Sequence, residues 1–243
     1  MKILLTMAGL GSRFKDSGYS EEKYDIVFRG HRLLEWSLAS LCNFRHCDLI
    51  FIARELPSIR ETIRRAVENV GFIKHEVVLL ESTTRGQAET AIFAEPLFRE
   101  DDSILIFNTD TFIEPQALTP DLIRGDGWIP TFRAPGDKWS FVQALSDGLA
   151  VRTAEKVRIS DHCSVGMYYF SSFSEFADLA RKSSWENEQY VAPLYNKWIA
   201  AGHKTYIHEL DETAVTVLGT PEDLEAASAA NRPIWPESCR QFN

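Results

Sequence analysis

The sequence has no run of lysine and arginine, no apolar stretch near the length of a membrane span, and no C-x-x-C pair. Each absence removes a class of function. With no basic run and a net charge of −9, the chain offers no electrostatic footprint for duplex or single-stranded nucleic acid. A bilayer-crossing helix takes about 20 consecutive apolar residues, and the opening run Ile3-Leu4-Leu5-Thr6-Met7-Ala8 is far shorter. It leads straight into glycines rather than a cleavage site, so it does not read as a secretory leader. No membrane partner is expected, and the chain reads as cytoplasmic. The four cysteines, Cys42, Cys47, Cys163 and Cys239, match neither a zinc spacing nor a disulfide framework, and read as thiols of a reducing compartment. The six histidines share no metal spacing.

Repeats, low-complexity tracts and linkers are also missing, which leaves one expected domain over residues 1–243. Its first part, 1–114, alternates strand and helix. Lys2–Met7, Leu49–Ala53, Glu76–Leu80 and Ser103–Phe107 are short apolar runs that read as buried strands. Between them, Leu33–Leu41 carries apolar residues at helical spacing. Ile59, Ile63, Ala66, Val67 and Val70 form a stripe that starts after Pro57 and stops at Gly71. Gly86–Phe98 reads as a further helix. Strands apolar on both faces, alternating with helices, predict an α/β fold with a parallel sheet covered by helices.

The second part, 115–243, has a different pattern. Phe141–Leu145 and Leu149–Thr153 flank Ser146-Asp147-Gly148, a hairpin signal. Val165–Phe170 is another strand, Ser174–Arg181 and Pro193–Ala201 are helices, and Gly202 stops the latter. Lys204–Glu209 and Thr213–Val217 read as strands and Pro221–Ala230 as the last helix. The segment Arg232–Asn243, with Pro233, Trp235 and Pro236, offers a face on which a second copy could pack, making a homo-oligomer.

Three constellations carry chemistry. In Ala8-Gly9-Leu10-Gly11-Ser12-Arg13-Phe14 the glycines let the backbone turn sharply and bring N–H groups to phosphate oxygens, and Arg13 adds a forked cation. The dinucleotide pattern fails because Phe14 stands at its third glycine, and the G-K-[ST] ending of a P-loop is missing. Lys23 follows this loop and precedes a helix. Asn108-Thr109-Asp110 sits directly after a strand, where ligands of open α/β sheets gather. A carboxylate there suits Mg²⁺, which often takes only one or two carboxylates plus phosphates. A capping aspartate is the bland alternative.

The order of these motifs resembles the nucleoside-triphosphate transferases that activate sugar phosphates, such as glucose-1-phosphate thymidylyltransferases and capsule-precursor enzymes. Their A-G-x-G-x-R-[LMF] opening stands at Ala8–Phe14, and their K-P…G-[KR]-P-[ML] segment at Lys23-Tyr24…Gly30-His31-Arg32-Leu33. Their base-contacting turn resembles Gly86–Thr90 and their metal aspartate falls on Asp110. Glu155-Lys156 with Val165–Phe170 resembles the acceptor segment, and Gly219-Thr220-Pro221-Glu222-Asp223-Leu224 a late family turn.

The resemblance implies a three-layer α/β/α, Rossmann-like fold with a mixed, mostly parallel sheet. It also implies a nucleotide-binding half at 1–114 and an acceptor-binding half at 115–243. It assigns Ala8, Gly9, Leu10, Gly11, Ser12 and Gly86 to the nucleotide, and Arg13, Lys23 and Asp110 to catalysis. Asp110 would hold Mg²⁺, while Glu155, Lys156 and Gly166 would meet the acceptor. The partners implied are a nucleoside triphosphate and a phosphorylated small molecule.

Three departures stand out. Val217 occupies the place of a second metal aspartate, with Asp211 and Glu212 as substitutes nearby; Tyr24 replaces a proline, and Asn108 a glycine. Alternatives remain in a cytidylyltransferase for phosphocholine or another non-sugar phosphate, a non-catalytic nucleotide-binding protein, and a glycosyltransferase of related fold.

Overall fold

The computed structural model describes residues 1–183 and 188–242. The first half delivers the alternation expected of it. It runs β1 (Lys2–Met7), α1 (Ser12–Asp16), the short hairpin β2 (Val27–Phe28) and β3 (His31–Arg32), α2 (Leu33–Ala39), β4 (Asp48–Arg54), α3 (Ile59–Val70) and β5 (His75–Leu80). Then come α4 (Gln87–Ile92), β6 (Ile104–Phe107) and β7 (Thr111–Ile113). The five apolar residues read as a stripe on α3 are all buried, and Gly71 closes the helix in the left-handed conformation. Burying each of its isoleucine and valine side chains stabilises the fold by about 1.5–3 kcal/mol.

The helix expected over Gly86–Phe98 is shorter. It ends at Ile92, and Glu95–Leu97 is a separate 3₁₀ turn. Pro96 supplies no N–H to continue the ladder, which explains the break.

The second half comprises β8 (Gly127–Phe132), β9 (Ser140–Ala144), β10 (Ala150–Glu155), β11 (Cys163–Ser164), β12 (Met167–Phe170), α5 (Phe173–Lys182), α6 (Leu194–Ala200), β13 (Thr205–Glu209), β14 (Val215–Val217) and α7 (Pro221–Ala229). Among the described residues ten strands form one sheet, ordered β10-β9-β11-β8-β12-β6-β1-β4-β5, with β13 paired to β8. The strands β6, β1, β4 and β5 are mutually parallel, while β12 joins antiparallel to β6.

Strand β8 is wholly buried and was not legible in the sequence, because Pro130 argues against a central strand. The structure accommodates Pro130 at a break in the ladder. β12 pairs with Gly127 and Trp128, and β11 with Thr131 and Phe132, so the missing donor falls between partners.

Alternate residues of the strands feed two cores. Ile3, Leu5, Leu105 and Phe107 meet α2 and α3 on one face, whereas Leu4, Ile104 and Ile106 meet α4, α5 and α6 on the other. This is the three-layer arrangement expected.

Two expectations are corrected here. Cys42 and Cys239 form a disulfide across 197 residues, leaving Cys47 and Cys163 as buried free thiols. Spacing along the chain carries no information about a pair so far apart. Within the C-terminal segment Trp235 turns inward while Ile234 stays exposed: Trp235 stacks on His31 with ring centroids 3.5 Å apart and packs edge-on against Trp36. Asn243, at the end of that segment, lies outside the described residues. Among the described residues no helix is long and apolar enough to cross a membrane.

Candidate active site

Strand β1 lies between β4, which follows it, and β6, which is added on its other side. The chain therefore reverses direction of winding at β1, and a crevice opens at the carboxyl ends of β1 and β6. The loops leaving those ends are Ala8–Arg13 and Asn108–Asp110, two of the three constellations singled out.

The first loop is shaped by Gly11. Its φ is +63°, and a Cβ there would stand 3.1 Å from Cβ of Lys23, so glycine serves both the turn and the approach of the lysine loop. Gly9 faces open space, with nothing within 4 Å of where its Cβ would be. Among the described residues none supplies a backbone acceptor to the N–H groups of Gly9, Leu10, Gly11, Ser12 or Arg13. Arg13 is exposed and makes no ion pair among the described residues. Free donors and a free guanidinium on one loop are what an anionic ligand requires.

The lysine loop is held from both sides. Glu22 accepts from Lys15 at 2.9 Å and from Arg54, at the end of β4, at 2.7 Å. Tyr24 is buried, and burial, followed by the nearby Glu22 carboxylate, pushes its hydroxyl up to about 12. An anchored aromatic thus fixes the loop where a proline was expected. Lys23 is thereby aimed at Asp110, whose Oδ2 it pairs with. The Asp110 carbonyl accepts from Leu218 N–H at 2.8 Å, which ties this loop to the strand β14 that carries Val217.

Two adjoining cavities share the wall formed by Gln87, Asn108, Glu188 and Tyr190. One, about 420 Å³, is lined by Ala8, Gly9, Leu10 and Gly86, along with Thr6, Thr83 and Thr84. The other, about 250 Å³, holds Arg13, Asp110, Glu155, Lys156 and Gly166. Lys138, Trp139 and Asp223 complete it. Gly11 and Ser12 line neither cavity; Gly11 acts through its contact with Lys23.

In the smaller cavity Glu155 accepts from Ser140, which in turn accepts from Tyr168 at 3.1 Å. Burial pushes the Glu155 carboxyl above the usual range, with Ser140 and Lys156 partly offsetting it. Lys156 donates to the Tyr190 hydroxyl, a bond that raises its basicity, and Tyr190 donates to Glu188. Lys156 also has a φ of +54°, with its N–H bonded to the Trp139 carbonyl at 2.8 Å. The result is a cavity lined by intermingled cations and carboxylates, Lys138 paired with Asp223 and Lys156 beside Glu155, suited to a ligand carrying a phosphate and hydroxyl or amino groups.

Two glycines have packing roles beside any ligand role. A Cβ on Gly86 would lie 2.5 Å from the Gln189 backbone nitrogen, and Ala88 N–H bonds the Gln189 carbonyl at 2.9 Å, so Gly86 is a chain crossing. Gly166, at φ +80°, is pressed against the Asn108 amide, and its carbonyl accepts from Asn108 N–H at 3.2 Å. Asn108 therefore joins β6 to the acceptor side, where a glycine was expected.

Val217 lines the smaller cavity beside Asp110, as the motif order requires. Asp211 and Glu212 do not substitute for an aspartate there. Both are exposed, neither lines the cavity, and Asp211 caps its own turn by accepting from Thr213 N–H at 2.7 Å. Among the described residues no group of three or more His, Cys, Asp and Glu side chains is gathered for a metal ion. Sequence reasoning missed Lys138, Trp139, Ser140, Glu188 and Tyr190, which belong to no recognised motif. Asp223 was quoted within a motif but given no role.

The switch-point crevice, the glycine loop with free donors and the lysine–carboxylate pair define an α/β protein whose crevice has the chemistry to receive an anionic ligand. The comparisons refine that class. Over 92% of this chain and 98% of the other, the fold matches a nucleoside-diphosphate-sugar pyrophosphorylase from Vibrio cholerae at 30% identity and a TM-score of 0.85. The chain belongs to the nucleotidyltransferase family. An inositol-1-phosphate CTP transferase from T. maritima (15% identity, 99% and 95% covered, TM-score 0.78) shares the fold. So does a Bacillus anthracis protein described as a glucose-1-phosphate thymidylyltransferase (14% identity, 99% of each chain covered, TM-score 0.74). No family model matches the chain, and no curated protein sequence does.

Proposed function

We propose that the protein transfers a nucleoside monophosphate from a nucleoside triphosphate to a sugar phosphate, releasing pyrophosphate. The observation that carries this reading is the pair of cavities that meet at Asn108, with the Lys23–Asp110 pair at the end of β6 beside them. One cavity has a glycine-rich wall for the nucleotide, the other a mixed acid–base wall for the acceptor.

In this scheme an acceptor phosphate oxygen forms a bond to the α-phosphorus, and the bond from that phosphorus to the bridging oxygen of pyrophosphate breaks. The nucleophile is already an anion, so no general base is needed. The work is alignment of two like-charged groups and neutralisation of developing charge. Gly9 and Leu10 N–H groups and Arg13 hold the triphosphate, on the loop that Gly11 shapes. Lys23 screens the attacking and leaving phosphates from each other. Lys156 takes the acceptor phosphate, and Glu155 takes its hydroxyls. Ala8, Leu10 and Gly86 border the base and ribose, and Gly166 leaves room beside Asn108.

The donor set around Asp110 is hard oxygen, which suits Mg²⁺. When bound, that ion supplies charge neutralisation on the phosphates. Asp110 would hold it, and Lys23 already pairs with that carboxylate. We place the activity in the cytoplasm, in supply of activated sugars for cell-surface polysaccharide, with the two halves acting as one domain.

A second reading has its own observation. Trp139, Tyr190, Glu155 and Glu188 bring aromatic faces and carboxylates to the acceptor side, a combination that also suits a phosphorylated amino alcohol. A grid of nucleoside triphosphates against sugar phosphates and phosphocholine, read as pyrophosphate release, separates the two. Release that needs both a triphosphate and a sugar phosphate is expected. Release with phosphocholine alone selects the second reading, and nucleotide binding with no release under any pairing contradicts both.

A further inference from the structure

The nucleotidyl-transfer reading leaves a chemical gap, because Val217 offers no side-chain oxygen beside Asp110. We propose that Asp223, reaching across Gly219, is the second carboxylate of the divalent-cation site. This inference rests on that reading and concerns how its cation is held.

Gly219 locates the two carboxylates relative to each other. A Cβ at Gly219 would lie 3.1 Å from Asp110 Oδ2 and 3.5 Å from Asp223 Oδ2, so both oxygens face the space that the missing side chain leaves. The backbone does not require glycine there, since Gly219 is not in the left-handed region. What its absence of a side chain provides is room between two carboxylates. Such a gap between hard oxygens fits Mg²⁺, which takes one or two carboxylates and completes its shell with phosphate and water.

The charges are arranged for exchange. Asp110 is paired with Lys23, and Asp223 Oδ1 with Lys138 at 2.8 Å. Two ammonium groups thus offset two carboxylates that would otherwise repel each other. A divalent cation taking over the carboxylates would leave both lysines for phosphate oxygens.

The ordinary role for an acidic residue in the first turn of a helix does not use up this carboxylate. α7 is capped by Thr220, whose hydroxyl accepts from the Asp223 backbone N–H at 3.1 Å. The Asp223 side chain is only 15% exposed and points at Lys138 and the Gly219 gap instead. A short polar side chain such as asparagine would keep the cap and lose the ligand charge.

The test is a Mn²⁺ titration of the full chain without nucleotide, followed by the paramagnetic resonance of the free aquo ion. Variants are checked for folding by circular dichroism. D223N and D110N should each weaken Mn²⁺ binding by roughly tenfold or more, while D211N and E212Q match the unsubstituted protein. G219A, which fills the gap without changing any charge, should also weaken binding. V217D placed on D223N should restore it, which separates a lost ligand from a disturbed helix. If D223N and G219A bind Mn²⁺ normally while D110N does not, Asp223 is not a ligand and the inference falls with the wider reading intact. Normal binding by D110N as well would overturn the cation site itself.

Discussion

Lys23 and Asp110 were singled out separately, 87 residues apart, and the fold makes them an ion pair. Each is about three-quarters buried, so neither charge is merely solvated. Lys23→Ala and Asp110→Asn should each lower turnover by well over about tenfold, the scale expected when a positioned charge is removed from a developing transition state. Far-ultraviolet dichroism should stay unchanged in both. Near-normal turnover in either would remove the pair from the mechanism.

Glu155 allows a prediction with a definite sign. Burial raises its pKa in the folded protein, so the folded state binds its proton more tightly than the unfolded state does. That penalty is absent below the ordinary glutamate range, grows as pH rises toward the folded-state value, and is complete above it. Glu155→Gln should therefore raise the melting temperature at neutral pH, and the gain should vanish in acid. The same substitution should weaken acceptor use. A melting temperature unchanged at every pH would show that the carboxylate is not desolvated as the structure places it.

Among elements, legibility followed how local the cause of each structure is. The stripe on α3 could be read because burial on one helix face leaves its own period in the sequence. The hairpin β9–β10 announced itself through Asp147-Gly148. Strand β8 could not be read, because its Pro130 is tolerated only through the arrangement of β11 and β12 around it. Nor could the fate of the C-terminal segment, since the surface that receives Trp235 is made by His31 and Trp36, some 200 residues earlier. Trp235→Ala should lower stability by about 2 kcal/mol through loss of those ring contacts, measured by urea unfolding. An unchanged midpoint would mean the segment does not brace α2.

The glycine loop answers at the same scale. Gly11→Ala places a Cβ in a left-handed backbone and against Lys23, so it should cost about 1 kcal/mol or more in stability and displace the lysine loop. Turnover should fall with it. Full activity in that variant would show that the loop and Lys23 do not act together.

Across the whole molecule, an acidic chain of net charge −9 concentrates Arg13, Lys23, Lys138 and Lys156 at one end of its sheet. That concentration is where the motif order pointed. The sequence pointed to the glycine loop and Asp110 because they follow strands β1 and β6, and to Lys23 and Glu155-Lys156 because they stand in recognisable order with these. It did not point to Lys138, Trp139, Glu188 or Tyr190, which line the cavity from outside any recognisable motif, the first two just before β9 and the last two before α6.

The central claim is that this crevice joins two phosphates by displacement at the α-phosphorus. Phosphorus magnetic resonance of the protein with Mg²⁺, a nucleoside triphosphate and a sugar phosphate tests it most directly. The expected result is loss of the triphosphate and sugar-phosphate signals together, with pyrophosphate and a diphosphate-bridged product appearing in equal amounts. Triphosphate consumed to inorganic phosphate without change in the sugar phosphate, or no change in any signal, would contradict the account.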